Sequence, residues 1–106
     1  MKQEEQKMKY RNPGMKKIKN TRPLLVSCSL CRSELLTYQK GGKGNLIKIQ
    51  FPRIIEANVV LDEEEKGFFC PGCREQLGSL RDYKGNPTYY LIRGLTRTKE
   101  LNHYKY

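Results

Sequence analysis

The chain has 106 residues, of which 37% are hydrophobic and none is tryptophan, and its formal net charge is +10. That length allows one domain with a small apolar core. No apolar run approaches the roughly 20 residues of a membrane-spanning helix. Met1-Lys2-Gln3-Glu4-Glu5-Gln6-Lys7 has no apolar stretch behind its charges, so no secretory leader is expected.

Residues 1–23 hold eight Lys/Arg against two Glu, residues 24–80 seven against seven acids, and residues 81–106 six against two. The excess therefore sits at the two ends of a balanced body. That is a footprint of RNA binding, or of DNA binding; the plain alternative is a charge excess that serves solubility alone.

In chain order, residues 1–23 offer only Met1, Met8, Tyr10, Met15 and Ile18 as large apolar side chains, and Asn12-Pro13-Gly14 breaks any helix begun upstream. This composition predicts a basic, disordered arm that orders on a partner. The folded domain is expected over 24–92. Leu24-Leu25-Val26 reads as a strand delivering Cys28, and Glu34 to Gln39 as the strand leaving the first cysteine pair. Lys40-Gly41-Gly42-Lys43-Gly44-Asn45 reads as a hairpin tip, after which Ile47, Ile49 and Phe51 alternate with Lys48 and Gln50 in the returning strand. Arg53-Ile54-Ile55 and Asn58 to Leu61 are strand-like, and Asp62 to Glu65 is a solvated acidic turn. Phe68-Phe69 leads into Cys70, Tyr83 to Pro87 turns, and Thr88 to Ile92 is a strand by its β-branched and aromatic content, expected at a sheet edge. Residues 93–106 read as a basic tail.

All four cysteines fall in two pairs, Cys28-Ser29-Leu30-Cys31 and Cys70-Pro71-Gly72-Cys73, with 38 residues between the pairs. Two residues between thiols let both sulfurs point to one side of a tight turn, and two such turns facing each other make a four-thiolate cage suited to one Zn²⁺. The same cage suits a single iron. Two disulfides would fit a small secreted domain, and a thioredoxin-like redox pair would want one Cys-x-x-Cys opening a helix; neither context is visible. The stretches around the pairs share a strand, Cys-x-x-Cys-Arg, and a Leu-containing segment, which reads as a weak internal duplication.

These two knuckles with hairpins between them resemble the zinc-ribbon (zinc-β-ribbon) fold group over roughly residues 24–92. Tyr38 to Lys48 is similar to a stretch in small bacterial zinc-ribbon proteins. The resemblance implies a small, β-rich, metal-stabilised domain with antiparallel hairpins in a cytoplasmic protein, to which the composition of the ends adds flexible basic termini. It supplies no activity. Many such knuckles place Gly after the second Cys, where φ tends to be positive; here Arg32 and Arg74 stand there, so either the turns relax or the arginines bear the strain.

Several residues could carry function. Glycine N–H groups of residues 41–44 with Lys40 and Lys43 could meet phosphate, although the P-loop spacing is absent. Lys7, Lys9, Arg11, Lys16, Lys17, Lys19 and Arg22 at one end, and Arg93, Arg97 and Lys99 at the other, are the expected phosphate contacts. Tyr83, Tyr89, Tyr90 and Tyr104 are interleaved with cations and could stack on unpaired bases, against the simpler role of core or solvated side chains. His103, the only histidine, lies far from the cysteines and is not expected as a ligand. No nucleophilic triad can be assembled. The expectation is a non-enzymatic RNA-binding protein, ribosomal or otherwise ribonucleoprotein-associated, without a small-molecule substrate. A protein-interaction adaptor docking on an assembly such as RNA polymerase is the alternative, and a small redox protein or metalloenzyme the third reading.

Overall fold

A computed structural model describes residues 8–61, 66–102 and 104. The strands are β1 (Tyr10–Arg11), β2 (Thr21–Cys28), β3 (Glu34–Gly41), β4 (Lys48–Gln50), β5 (Ile54–Ala57), β6 (Gly67–Phe69), β7 (Gln76–Tyr83), β8 (Asn86–Leu91) and β9 (Thr96–Glu100), with one 3-10 turn at Phe51–Arg53. All pairings among them are antiparallel. They form a five-stranded sheet in the order β1-β5-β3-β2-β9 and a four-stranded sheet in the order β4-β8-β7-β6. No helix among the described residues is long and apolar enough to cross a membrane.

The two sheets share one core. Val26, Leu36, Tyr38 and Ile54 come from the first sheet, and Ile49, Phe68, Leu77 and Tyr89 from the second. In β2 the alternation is plain: Leu24, Val26 and Cys28 are buried while Leu25 and Ser27 are half-exposed, as period-2 side chains require. Tyr89 stacks on Phe68 with ring centroids 4.7 Å apart and meets Phe51 at 5.0 Å. The Tyr38 hydroxyl accepts the Gln50 amide at 2.9 Å and so ties the sheets across the core. Burial raises its phenol pKa above 10.

Strand β3 is buried on both faces from Leu35 to Lys40, and the reason corrects two expectations. The outer face of the first sheet is covered by the chain ends. Gln39 spans the segment before β2: its Nε2 donates to the Lys16 carbonyl at 2.8 Å and its Oε1 accepts the Ile18 amide at 2.9 Å. Lys16 N also donates to Pro52 O at 2.9 Å, and the Asn12 amide donates to the Phe51 and Ile54 carbonyls at 2.8 Å each. Residues 8–23 are therefore packed chain rather than a loose arm, held by polar side chains that satisfy backbone groups. Likewise Thr96–Glu100, expected within a loose tail, is β9 and pairs with β2 from Leu24 to Cys28.

Two pairings also differ from expectation. Residues 34–39 and 46–51 do not form a hairpin: β3 pairs with β2 and β5, whereas β4 pairs with β8 in the other sheet. Gly42 and Gly44, at φ 73° and 96°, turn the chain away between them. Thr88 to Leu91 is not an edge, because β8 lies between β4 and β7. The expectations on Lys7, Asp62 to Glu65 and His103 lie outside the described residues.

A cross-sheet row runs Arg11–Glu56–Thr37–Leu25–Lys99 over the outer face of the first sheet. The Tyr104 hydroxyl closes it, donating to Glu56 Oε2 at 2.6 Å and lying 3.2 Å from Thr37 Oγ1. Glu56 is buried, and its Oε1 has no hydrogen-bond partner. Desolvation, then the hydrogen bond to Glu56, pushes the Tyr104 pKa from 10 up to about 12. A pKa raised in the folded state means that the contact stabilises below the unfolded value and is lost as pH rises through the folded one. The Tyr104 contribution should therefore be complete below pH 10 and vanish by about pH 12. Thermal unfolding of wild type and Tyr104→Phe checks this: the difference between them should be present at neutral pH and shrink across that window.

Candidate functional site

The four cysteines end and begin the strands that define the two halves. The turn between β2 and β3 carries Cys28 and Cys31, and the turn between β6 and β7 carries Cys70 and Cys73. Each turn is closed in the same way. Cys28 N donates to Ser33 O at 2.9 Å and Arg32 N to Cys28 O at 2.9 Å; Cys70 N donates to Glu75 O at 3.0 Å and Arg74 N to Cys70 O at 2.9 Å. Leu30 N points at Cys28 Sγ at 3.4 Å, and Gly72 N at Cys70 Sγ at 3.3 Å. Arg32 and Arg74 adopt φ 69° and 71°, so the arginines bear the left-handed conformation, at a cost of about 1–2 kcal/mol each.

All four sulfurs lie within 4.8 Å of one another. Cys28 Sγ is 3.8 Å from Cys73 Sγ, and Cys31 Sγ is 3.5 Å from Cys70 Sγ. An ion holding four thiolates at about 2.3 Å in a tetrahedron sets the sulfurs about 3.8 Å apart, so the free thiols already stand at the spacing that a metal ion requires. Cys28 and Cys70 are buried, Cys73 is half-exposed and Cys31 is exposed. The Ser33 hydroxyl, 3.0 Å from Cys31 Sγ, is the leading cause that lowers the Cys31 thiol to about 6, helped by the Ser33 amide and by Cys70. At Cys73 the Glu75 amide pulls downward, but desolvation and the neighbouring thiols together push the group up to about 12. The protons of the cluster are thus unevenly shared, and metal binding must expel those that remain.

Gly72 sets how closely the turns approach. A Cβ there would overlap Ser33 Oγ and come within 3.1 Å of Cys31 Sγ. Leu30, the counterpart in the first turn, is 55% exposed.

The expected phosphate contacts do not gather into one patch. Lys9 and Arg11 lie at and just before β1, and the exposed Lys16, Lys17 and Lys19 sit on or next to the segment crossing the outer face of the first sheet. Arg97 and Lys99 share that face at the opposite edge. Arg22 is engaged, with Glu100 at 3.7 Å and the Gly42 carbonyl at 2.9 Å. Lys43 is exposed in the glycine loop, Arg93 lines a groove with Ile47 and Ile92, and Lys40 is buried.

The outer face of the second sheet holds a cluster that sequence reasoning only half found. Tyr90 stands between Lys48 on β4 and Ser79 on β7. Lys48 Nζ lies 4.7 Å from the Tyr83 ring centre and 5.7 Å from that of Tyr90; Arg81 Cζ lies 5.5 Å from Tyr90, and Lys84 Nζ 5.3 Å from Tyr83. The two rings meet edge-on at 6.5 Å. Lys84 and Gly85, at φ 53° and 87°, form the two-residue turn joining β7 to β8, a geometry that demands positive φ at both positions. Tyr89 points inward to the core. Lys48 and Arg81 were missed because only the strand pairing brings them to the tyrosines; the signal available was the alternation of Lys48 with Ile47 and Ile49, and Arg81, between Leu80 and Asp82, offered none.

No family model, no curated protein and no solved structure matches this chain.

Metal analysis should find one tightly bound ion per chain. Cys70→Ser should lose it and unfold both cysteine turns. Gly72→Ala should lower metal affinity by about 10–100-fold, the scale of perturbations just outside a ligand shell. Arg74→Gly should hold the metal and gain about 0.5–1 kcal/mol, because relief of the left-handed strain exceeds the entropic cost of glycine.

Proposed function

We propose that this protein is a non-enzymatic zinc-ribbon protein of the cytoplasm that binds single-stranded RNA, within a ribosome or another ribonucleoprotein assembly. The observation that carries this reading is the outer face of the second sheet, where two tyrosines and three cations share one surface. Tyrosine rings stack on unpaired bases while Lys and Arg neutralise phosphates, which is how sheet surfaces take single strands. A flexible lysine lying over a ring in the free protein swings aside when a base arrives. The net charge of +10 draws the strand in.

Zinc is the metal this reading assigns. Four thiolates match its preference, and a closed four-sulfur shell leaves no position for substrate. Iron in the same shell would announce itself by visible absorption. With every cysteine in the cage, none is left as a nucleophile, and the reading is structural rather than catalytic.

The test is fluorescence anisotropy with a labelled oligouridine over a series of salt concentrations. Wild type should bind, with affinity falling steeply as salt rises. Tyr90→Ala should weaken binding by about 1–3 kcal/mol, and Arg81→Gln should flatten the log–log salt slope by about 0.7. Oligodeoxythymidine in place of oligouridine tells DNA from RNA. The second reading is a protein-docking adaptor, favoured by Ile47 and Ile92, 61% and 43% exposed, which flank the groove beside Arg93. Association with a native partner that survives nuclease and high salt would put that reading first.

A further inference from the structure

The tyrosine-bearing face of the second sheet ends in a recess. Tyr38, Lys40, Asn45, Lys48, Arg53 and Tyr83 are among the residues lining a cavity of about 170 Å³. Three of those six are cations and none is an acid. Lys40 is only 9% exposed, and a lysine so buried ordinarily has a carboxylate partner. Here its Nζ donates to the Gly41 carbonyl at 3.1 Å, which leaves two of its three donors uncommitted. Among the described residues the ion pair is Arg22 with Glu100, across the β2–β3 register from Lys40 but outside the lining of the recess, and Lys40, Lys48 and Arg53 are in no ion pair with a described acid. Arg53 acts on the same recess electrostatically, opposing the rise in the Tyr38 pKa.

Three cations converging without an acid on a polar hollow make an anion site. The hollow is smaller than the roughly 300–1,000 Å³ of pockets that enclose a whole drug-sized ligand, so it fits a group rather than a molecule. The recess and the stacking face are continuous: Tyr83 is a wall of one and a ring of the other, and Lys48 lines the cavity while lying 4.7 Å from the centre of that ring.

We propose that this recess is a phosphate subsite: Lys40, Lys48 and Arg53 take one phosphate of a single-stranded nucleic acid whose adjoining base stacks on Tyr83. The subsite rests on the RNA-binding reading. It relocates the phosphate contact anticipated in the glycine loop, since Gly41 and Asn45 line the recess while the exposed Lys43 does not.

The experiment titrates labelled oligouridine against wild type, Arg53→Gln, Lys48→Gln, Tyr83→Ala and a Lys66→Gln control, an exposed lysine beside β6 at the far edge of the same sheet. Inorganic phosphate competes at an ionic strength matched with chloride. The metal-loaded protein is used throughout, and thermal melts verify folding. Arg53→Gln and Lys48→Gln should each weaken binding about tenfold and flatten the salt slope by about 0.7, while Lys66→Gln stays within about twofold. Phosphate should compete better than chloride in wild type and lose that advantage in Arg53→Gln. Should Arg53→Gln fail to fold, the half-exposed Lys48 carries the test. If both recess variants bind as wild type while Tyr83→Ala fails, the recess is wrong and the RNA-binding reading stands. If wild type does not bind oligouridine at all, that reading itself falls. If inorganic phosphate stabilises wild type in the melts without any oligonucleotide binding, the recess serves a free anion and the assignment to a strand is overturned.

Discussion

The constraint on which the structure depends is that two cysteine turns from different sheets must face each other. The Cys28–Cys31 turn belongs to the five-stranded sheet and the Cys70–Cys73 turn to the four-stranded one. The sulfur pairs, 3.5 and 3.8 Å apart, therefore bring the sheets together at one point, where a bound ion would tie them. Structural zinc contributes apparent binding energies of about 10–16 kcal/mol in small zinc-finger peptides, against total stabilities of about 5–15 kcal/mol for ordinary domains. An ion in this cage would contribute on the scale of an ordinary domain's whole net stability. It would act at the rim of the core, where Cys28 and Cys70 are buried and Cys31 is exposed.

The two halves of the cage are built alike. An offset of 42 residues carries Val26, Cys28, Cys31, Arg32 and Leu35 onto Phe68, Cys70, Cys73, Arg74 and Leu77. Four features repeat at that offset: the buried residue before the first cysteine, the closing hydrogen bonds, the positive φ and the buried leucine. Each entering strand also has a register irregularity just before its cysteine, at Val26/Ser27 and at Phe68/Phe69. The halves differ where they touch: Gly72 admits Ser33, whereas Leu30 faces solvent. The fit is asymmetric because only one of two facing turns needs to be small.

What the sequence made legible was local. The cysteine spacing, the Lys84-Gly85 turn, the strand entering Cys28 and the alternation around Ile49 are short-range signals, and the structure follows them. The weak duplication around the cysteines also reappears as matching turn geometry. Illegible was everything set by distant partners. The hairpin expected across residues 40–45 failed because Ile49 finds Tyr89 in the other sheet, about forty residues onward. Thr96–Glu100 is polar and largely exposed, and Gln76–Tyr83 sets Leu77 and Leu80 among Gly, Ser, Arg and Asp without a period-2 pattern, so hydrophobic pattern could not announce them. The ends looked like free arms because their anchors are Asn12, Gln39, Glu56 and Tyr104, polar residues whose partners become visible only once the sheet is assembled.

Folding the ends down changes what the charge means. Residues 8–23 and 96–100 bring their cations to the outer face of the first sheet, while Lys48, Arg81 and Lys84 stand on the outer face of the second. The protein is therefore basic on two outward surfaces rather than at two loose tips. The surfaces are not equivalent. On the first, the described chain ends already occupy the middle of the sheet, and the Tyr104 hydroxyl is committed to Glu56. On the second, Tyr83 and Tyr90 keep their rings partly exposed among cations that are in no ion pair with a described carboxylate. Charge attracts a polyanion to either side, but a contact that depends on unpaired bases needs an aromatic face as well as charge. In the proposed reading, the first surface supplies long-range, salt-screened attraction and the second holds the strand.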